Sequence, residues 1–86
     1  MNRKILEKRL VDFSTNIIVL CRSLSFDAYT AHLPKQIVRS GSSAVLNYGE
    51  AQSAESRADF VHKLSIVLKE LRETHLNLQL IRNSVS

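Results

Sequence analysis

The stretch that decides the fold is residues 33–80, which read LPKQIVRSGSSAVLNYGEAQSAESRADFVHKLSIVLKELRETHLNLQL. Its pattern predicts a helix over about 34–51, a short break, and a longer helix over about 57–82. Small residues crowd the first of these helices, and the second carries a nearly unbroken apolar stripe. Small side chains let helices approach closely, and a long apolar stripe must be covered, so the stretch is typical of a protein built to pack against helices.

The helix predicted for 34–51 opens with Pro34, which suits a first helical turn. Within it, the segment 40–44 (SGSSA) has poor helix propensity and could instead be a flexible linker. Apolar residues keep helical spacing on both sides of that segment, so the helix is the favoured interpretation. Its predicted inward positions are Ile37, Ser40 or Gly41, Ala44, Tyr48 and Ala51.

The helix predicted for 57–82 begins after a capping box formed by Ser56 and Asp59, with Ser53 as an alternative cap one turn earlier. At 1.5 Å per residue it is a rod of about 39 Å. Its predicted core stripe is Phe60, Leu64, Val67 with Leu68, Leu71, His75 with Leu78, and Ile81.

A third helix is predicted over about 3–24, because apolar residues recur there every three or four positions. These residues are Leu6, Leu10, Phe13, Ile17, Leu20 and Leu24. Rods of similar length joined by short loops pack antiparallel. The sequence therefore predicts an all-α, antiparallel up-and-down helical bundle with three long helices in a single domain, 1–86.

Composition narrows the class of protein. The chain has 86 residues, 2 Gly, 1 Pro, 1 Cys and a net charge of +4. These are too few turn formers for a multi-stranded sheet, and one cysteine makes neither an internal disulfide nor a cysteine-based zinc site. No segment has the ~20 apolar residues of a membrane span, and the N-terminus lacks the features of a signal peptide. We therefore expect a cytoplasmic protein with no membrane partner.

The sequence carries little sign of catalysis. His32, His62 and His75 are not spaced as metal ligands, and the pair Glu70 and Glu73 lacks the histidine of a di-iron bundle. No nucleophile elbow and no phosphate-binding glycine loop occurs. We expect a non-enzymatic protein with no cofactor, metal or small-molecule substrate, and a metal-dependent bundle enzyme is only a third hypothesis.

A polar stripe is predicted along the helix 34–51, where Arg39, Ser43, Asn47 and Glu50 are spaced four, four and three. Its charged members could meet opposite charges on the next helix, at Glu70, Arg72 and Glu73. Such a stripe usually fixes helix register. The functional alternative is that Arg39 and Asn47 contact a partner or an RNA phosphate; the structural interpretation is favoured.

Basic residues are spread along the chain except at its start. The cluster there consists of Arg3, Lys4, Lys8 and Arg9. No aromatic residues interleave with it in the way that stacks bases. It is a candidate contact with RNA or DNA, through phosphates and therefore sensitive to salt.

Four segments carry a resemblance to a known family: 33–43 (LPKQIVRSGSS), 47–52 (NYGEAQ), 59–60 (DF) and 64–74 (LSIVLKELRET). In order and spacing they resemble the bacterial four-helix bundle proteins, also called 23S rRNA-intervening-sequence proteins. The resemblance implies a small helical bundle, assembly of some members as pentameric rings, and no catalytic residues. A related branch of that family serves as the accessory protein of diversity-generating retroelements and binds a reverse transcriptase and nucleic acid, so the resemblance also implies these as candidate partners.

The family pattern continues into a fourth helix, whereas this sequence stops at Ser86. Three helices alone would leave a groove along the first and third, with large side chains exposed at ~1.5–3 kcal/mol each. We therefore expect a neighbouring chain or a further helix to fill it. The leading hypothesis is a scaffold that forms a homo-oligomer, and the alternative is an accessory protein that binds nucleic acid beside a reverse transcriptase.

Overall fold

Three helices make up the computed structural model, which describes residues 2–85: α1 (Arg3–Ser23), α2 (His32–Ala51) and α3 (Arg57–Ser84). No strand occurs in this range. The all-α prediction is confirmed, with helix ends one or two residues from the predicted positions. The Arg3 guanidinium donates to the side-chain oxygen of Gln52 (3.3 Å), which joins the start of α1 to the end of α2. The helices therefore run up, down and up.

Local hydrogen bonds explain where the helices begin. The Asn2 side chain accepts from the backbone N–H of Ile5 (2.9 Å), and the Ser56 hydroxyl accepts from that of Asp59 (3.0 Å). Each satisfies an N–H that has no partner within its helix. Ser56 is thus the cap of α3, and Ser53 is not.

The loop before α2 is organised by Asp27. Its carboxylate accepts from the backbone N–H groups of Tyr29 (2.9 Å) and Thr30 (3.1 Å) and from the Thr30 hydroxyl (3.0 Å). The hydrogen bond from Tyr29, followed by that from the Thr30 hydroxyl, lowers the pKa of Asp27. Within the same connection, Phe26 packs on the core. The Tyr29 side chain is 87% exposed, whereas that of Phe26 is half-buried.

α2 is the central helix and is continuous through residues 40–44, so the linker interpretation is wrong. It packs against α1 on one side and α3 on the other, whereas no Cα atoms of α1 and α3 come within 8 Å of each other. A Cβ placed on Gly41 would lie 3.5 Å from the Ser14 hydroxyl oxygen, an ordinary contact distance. Small residues on α2 therefore bring α1 close, as the sequence predicted.

The core consists of two clusters, one towards each end of the bundle. The first is formed by Leu10, Ala44, Tyr48 and Val67, and the second by Ile17, Leu33, Ile37 and Ile81. All the predicted inward positions of α2 are buried, including both Ser40 and Gly41. Because α2 is covered from two sides, it supplies residues to both clusters.

α3 buries a different face from the one that the sequence predicts. Its buried row is Val67, Glu70, Thr74, Asn77 and Ile81. From the predicted stripe, Leu64, Leu71 and Leu78 are only half-buried, and Leu68 is 62% exposed. The row that faces α2 is largely polar, so much of the apolar stripe is left at the side of α3.

A candidate helix-docking groove and a polar layer

Arg39 joins α2 to two carboxylates of α3. Its guanidinium donates to Glu70 (2.8 Å) and to Glu73 (2.6 Å). The Glu70 side chain is 5% exposed and that of Glu73 is 40% exposed, while Arg39 itself is 58% exposed. The arginine therefore covers one buried and one surface carboxylate from the solvent side.

The ionisation of Glu70 reflects two opposing effects. Burial acts to raise the pKa of Glu70, but hydrogen bonds from Ser43 and Arg39 and the positive charge of Arg39 outweigh it. The pKa of Glu70 is consequently below its ordinary 4.5. Hydrogen bonding to Glu70 and then to Glu73 raises the pKa of Arg39. Both groups are charged near neutral pH, so the contact is an ion pair.

A pair of hydroxyls lies beneath this ion pair. The Thr74 hydroxyl donates to the backbone carbonyl of Glu70 (2.8 Å), and its oxygen lies 2.7 Å from the Ser40 hydroxyl. Both side chains are fully buried. Within residues 2–85 no buried side-chain nitrogen or oxygen lacks a partner. The ion pair and the hydroxyl pair together form a satisfied polar layer between α2 and α3.

Of the other residues in the predicted polar stripe, Ser43 hydrogen-bonds Glu70, and the remaining three lie outside this layer. Asn47 donates to the backbone carbonyl (2.9 Å) and the hydroxyl (3.1 Å) of Ser43, so it bonds within its own helix. Glu50 pairs with Lys63 (3.1 Å) and not with Arg72, which is exposed and makes no ion pair within residues 2–85. The inclusion of Arg72 in the stripe is therefore wrong.

Three buried polar residues were missed by the sequence analysis: Ser14, Thr74 and Asn77. Glu70, Thr74 and Asn77 recur at four and three residues, which is the spacing of a helix face. That spacing could have predicted a buried polar row, but a longer apolar stripe beside it on the same helix is the stronger indication of a buried face.

An open cavity of about 530 Å³ separates the C-terminal halves of α1 and α3. It is lined by Leu20, Leu24, His75, Leu78, Gln79, Ile81, Arg82 and Val85. Gln79 and His75 are 2.9 Å apart through their side-chain nitrogens. The walls are mainly apolar and the polar groups lie at the edge of α3.

Helical spacing places further apolar residues in line with this cavity. Residues seven apart lie on nearly the same face of a helix. Leu6 and Phe13 precede Leu20 in such a row on α1, and Leu68 precedes His75 on α3. Leu6 and Phe13 are each 37% exposed. We call this surface the α1–α3 groove: Leu6, Phe13, Leu20 and Leu24 on α1, with Leu64, Leu68, Leu71, His75 and Leu78 on α3.

The basic cluster lies at the exposed start of α1. Lys8 pairs with Asp12 (2.8 Å), and Arg3 reaches Gln52, while Lys4 and Arg9 form no ion pair within residues 2–85. The first turn of α1 contains no acidic residue. Basic side chains at a helix N-terminus oppose the helix dipole, so helix stability does not account for them.

Three further observations concern metal binding, the cysteine thiol and membrane insertion. Within residues 2–85 no group of three or more histidine, cysteine, aspartate or glutamate side chains is arranged to hold a metal ion. Cys21 is half-buried, and desolvation raises the pKa of its thiol. In the same range, none of the three helices combines the length and apolarity needed to cross a membrane.

Comparison with known proteins gives two matches. The family described as 23S rRNA-intervening sequence protein matches residues 4–85. The chain is also similar to a crystal structure of a protein of unknown function from the S23 ribosomal protein family of Bacteroides thetaiotaomicron VPI-5482, with 37% identity and a TM-score of 0.86. That match covers 98% of this chain and 75% of the other. No curated protein matches.

Proposed function

Because this chain belongs to the 23S rRNA-intervening sequence protein family, we propose that it is a non-enzymatic helical scaffold whose copies associate side by side into a homo-oligomer. The observation that supports this most directly is the apolar surface left on the outer helices. Twelve large hydrophobic residues among 2–85 have more than a third of their surface exposed. Single exposed hydrophobic residues are ordinary, but ten of these twelve lie on α1 and α3, the two helices that each have one neighbour within the described chain.

Two patches lie on the outer sides of the bundle, away from the α1–α3 groove. The α1 patch consists of Ile5 and Val19, which lie two heptads apart on one face, and the α3 patch of Leu76 and Leu80, with exposures from 45% to 57%. Since α2 lies between α1 and α3, the outer faces of these helices point away from each other. Contact between the α1 patch of one copy and the α3 patch of the next is heterologous and produces a ring when the rotation closes.

Substitution of one residue in each patch tests the assembly. Val19→Glu and Leu76→Glu should each shift the protein from oligomer to monomer, because either places a charge in the apolar contact. The measurement is light scattering coupled to size exclusion at micromolar concentration. Leu46→Glu is the matched control, since Leu46 is 68% exposed on α2, outside both patches.

Each result of this experiment has a clear meaning. An oligomer that survives Leu46→Glu but not Val19→Glu or Leu76→Glu supports the proposal. A wild-type protein that is monomeric across the whole concentration range contradicts it.

A second candidate function is binding of RNA or DNA through Arg3, Lys4, Lys8 and Arg9. The observation that favours it is their position at a helix N-terminus, where they are unfavourable for the helix itself. Four phosphate contacts predict a slope of roughly −3 to −4 for log affinity against log salt. Gln at all four positions should remove most of the binding measured by fluorescence anisotropy with a labelled oligonucleotide. Equal binding by wild type and variant would dismiss the candidate.

A further inference from the structure

A second surface cavity, of about 370 Å³, lies between α2 and α3 and shares no residue with the α1–α3 groove. It is lined by Gln36 and Arg39 of α2 and by Glu73, Leu76 and Asn77 of α3, and we call it the α2–α3 pocket. Leu76 also belongs to the α3 patch. The pocket therefore opens beside the surface that the proposed assembly uses.

Asn77 brings to this pocket a polar group that the chain itself leaves without a partner. The residue is only 9% exposed, yet its side-chain amide forms no hydrogen bond within residues 2–85. No fully enclosed polar atom in that range lacks a partner, so the amide of Asn77 keeps its small exposure at the pocket. A nearly buried amide with unused donors and an unused acceptor is suited to receive a ligand.

The charges around the pocket favour a cation as that ligand. Arg39 contributes one positive charge, and the two carboxylates that it binds, Glu70 and Glu73, contribute two negative charges, which leaves one negative charge in excess. Arg39 bonds one oxygen of Glu73, whose side chain is 40% exposed, so the other oxygen can accept from a second cation. Together with the amide oxygen of Asn77 it suits a guanidinium, whose donors form a planar fork.

The heights of residues along the bundle indicate where such a cation comes from. α1 and α3 run in the same direction, and Leu10 and Val67, in one core cluster, lie at similar heights. Val19 lies nine residues beyond Leu10, and Leu76 lies nine residues beyond Val67. The α1 and α3 patches therefore each have a residue at the same height. Copies placed side by side around an axis parallel to the helices keep this alignment.

Arg22 is the basic residue of α1 that reaches the height of the pocket. It lies three residues beyond Val19, and Asn77 lies one residue beyond Leu76, so the two differ in height by about 3 Å. Long side chains on a helix lean towards its N-terminus, which directs Arg22 down towards Asn77. Arg22 is exposed and forms no ion pair within residues 2–85, whereas Arg9 lies about 20 Å lower on α1.

Both groups also lie on the matching flank of their patch. Measured around α1 from Val19, the groove residue Leu20 is turned about 100° in one direction and Arg22 about 60° in the other. Measured around α3 from Leu76, the preceding groove residue is turned about 100° in one direction and Glu73 about 60° in the other. Arg22 and the pocket are therefore both on the side away from the groove.

We propose that Arg22 of a neighbouring copy inserts its guanidinium into the α2–α3 pocket, where it donates to Glu73 and to the amide oxygen of Asn77. The pocket is then a binding site that a second copy of this chain completes. The inference rests on the proposed side-by-side assembly and adds a polar contact to it. Apolar patches alone allow the copies to slide, whereas a charged contact of this kind fixes their register.

The test is a charge exchange, followed by light scattering coupled to size exclusion over a range of micromolar concentrations. Arg22→Glu should raise the concentration at which oligomer and monomer are equally populated by roughly tenfold, because it brings a further carboxylate to an acidic pocket. Glu73→Lys should have a similar effect, because its charge then meets Arg22. The two changes combined should return this concentration to within about threefold of the wild type, since the ion pair is restored in reverse.

Arg9→Glu is the matched control, because Arg9 is also exposed on α1 and forms no ion pair within the described chain. It should leave assembly unchanged and should not rescue Glu73→Lys. Arg22 lies in the last turn of α1, where its charge also favours the helix dipole. Recovery in the combined variant cannot come from that effect, because Arg22→Glu removes it.

Asn77→Ala separates binding from structure. Because the amide of Asn77 has no partner within its own chain, its removal should weaken assembly without lowering the urea midpoint of the monomeric Val19→Glu variant. A lower urea midpoint together with unchanged assembly would show that Asn77 is only structural.

The possible outcomes distinguish this contact from the assembly itself. Loss of the oligomer in Val19→Glu, but not in Arg22→Glu or Glu73→Lys, would overturn the contact and leave the assembly standing. Failure of the combined variant to recover, or rescue of Glu73→Lys by Arg9→Glu, would likewise overturn the assignment of Arg22. A wild type that is monomeric at all concentrations would overturn the assembly and this contact together.

Discussion

Arg39 binds two carboxylates that differ in burial, and this difference decides how much each ion pair contributes to the stability of the fold. Glu70 is 5% exposed and depends on its partners for the interactions that water would otherwise supply. Glu73 is 40% exposed and retains much of its hydration. Removal of the arginine would leave a buried charge at Glu70 and only an exposed one at Glu73. The energetic weight of the cluster therefore rests on Glu70.

Glu70→Gln should change how stability depends on pH. Because the pKa of Glu70 is lowered in the folded protein, its ionised carboxylate stabilises the fold fully above the ordinary pKa of 4.5. That contribution is lost as pH falls through the lowered native pKa. We expect Glu70→Gln to lose about 1–3 kcal/mol at neutral pH and to reduce the fall in stability below pH 4.5. Urea unfolding at a series of pH values measures both effects.

Glu73→Gln is the comparison variant, since it removes a carboxylate that binds the same arginine. Its cost should stay below about 1 kcal/mol because the pair is largely exposed. Asp27→Asn shows how much acid sensitivity comes from the loop carboxylate, whose pKa is also lowered. If Glu70→Gln and wild type lose stability in parallel as pH falls, the assignment to Glu70 is wrong.

At the scale of the elements, α3 carries two stripes that compete for the interior. One is the apolar series that contains Leu64, Leu71 and Leu78, and the other is the row of Glu70 and Thr74 that α2 covers. The polar row is inside because α2 supplies Arg39 and Ser40 to it. The apolar series then forms one wall of the α1–α3 groove.

The N-terminal cap of α3 can be tested by a single substitution. Ser56→Ala removes the hydroxyl that accepts from the Asp59 N–H, and it should destabilise the protein by about 1 kcal/mol. For a domain of this size that corresponds to a fall of about 4–8 °C in Tm. Thermal unfolding followed by circular dichroism measures it.

Ser53→Ala is the matched control, because Ser53 is exposed one turn earlier and does not cap α3. Its effect should be within about 0.5 kcal/mol. Equal losses in the two variants would mean that the hydrogen bond of Ser56 is not the cause.

At the scale of the whole molecule, the three helices form a layered arrangement with extents of 45 × 21 × 15 Å. Only α2 is covered by neighbours from both sides, while α1 and α3 each have one neighbour within the described chain. A domain this small buries a modest share of its surface, and its stability margin is correspondingly thin. Association with other helices would add to that margin.

Self-assembly should make the thermal stability depend on protein concentration. Because an oligomer binds only folded subunits, mass action raises Tm as concentration rises. We expect this rise in the wild type and its loss in Val19→Glu, measured by scanning calorimetry over a hundredfold range of concentration. A wild-type Tm that is independent of concentration would argue against assembly.

Much of the fold follows from local sequence signals. Cap residues such as Ser56 and helical spacing on both sides of residues 40–44 act over a few residues, so they could be recognised without a structure. The buried face of α2 was predicted apart from Leu33, because a single stripe of small and apolar residues marks it. The α1–α3 groove was expected in outline, because the apolar stripes of the three helices are too extensive for three helices to cover completely.

The sequence by itself determined three helices, their order and the inward face of α2, because these depend on neighbours within one or two turns. Only the tertiary structure decided which face of α3 is buried, and that Arg72 and Tyr29 are exposed. The reason is that Glu70 and Thr74 are stabilised inside by Arg39 and Ser40, which lie more than thirty residues away in the chain. No local pattern on α3 records that those partners will be there.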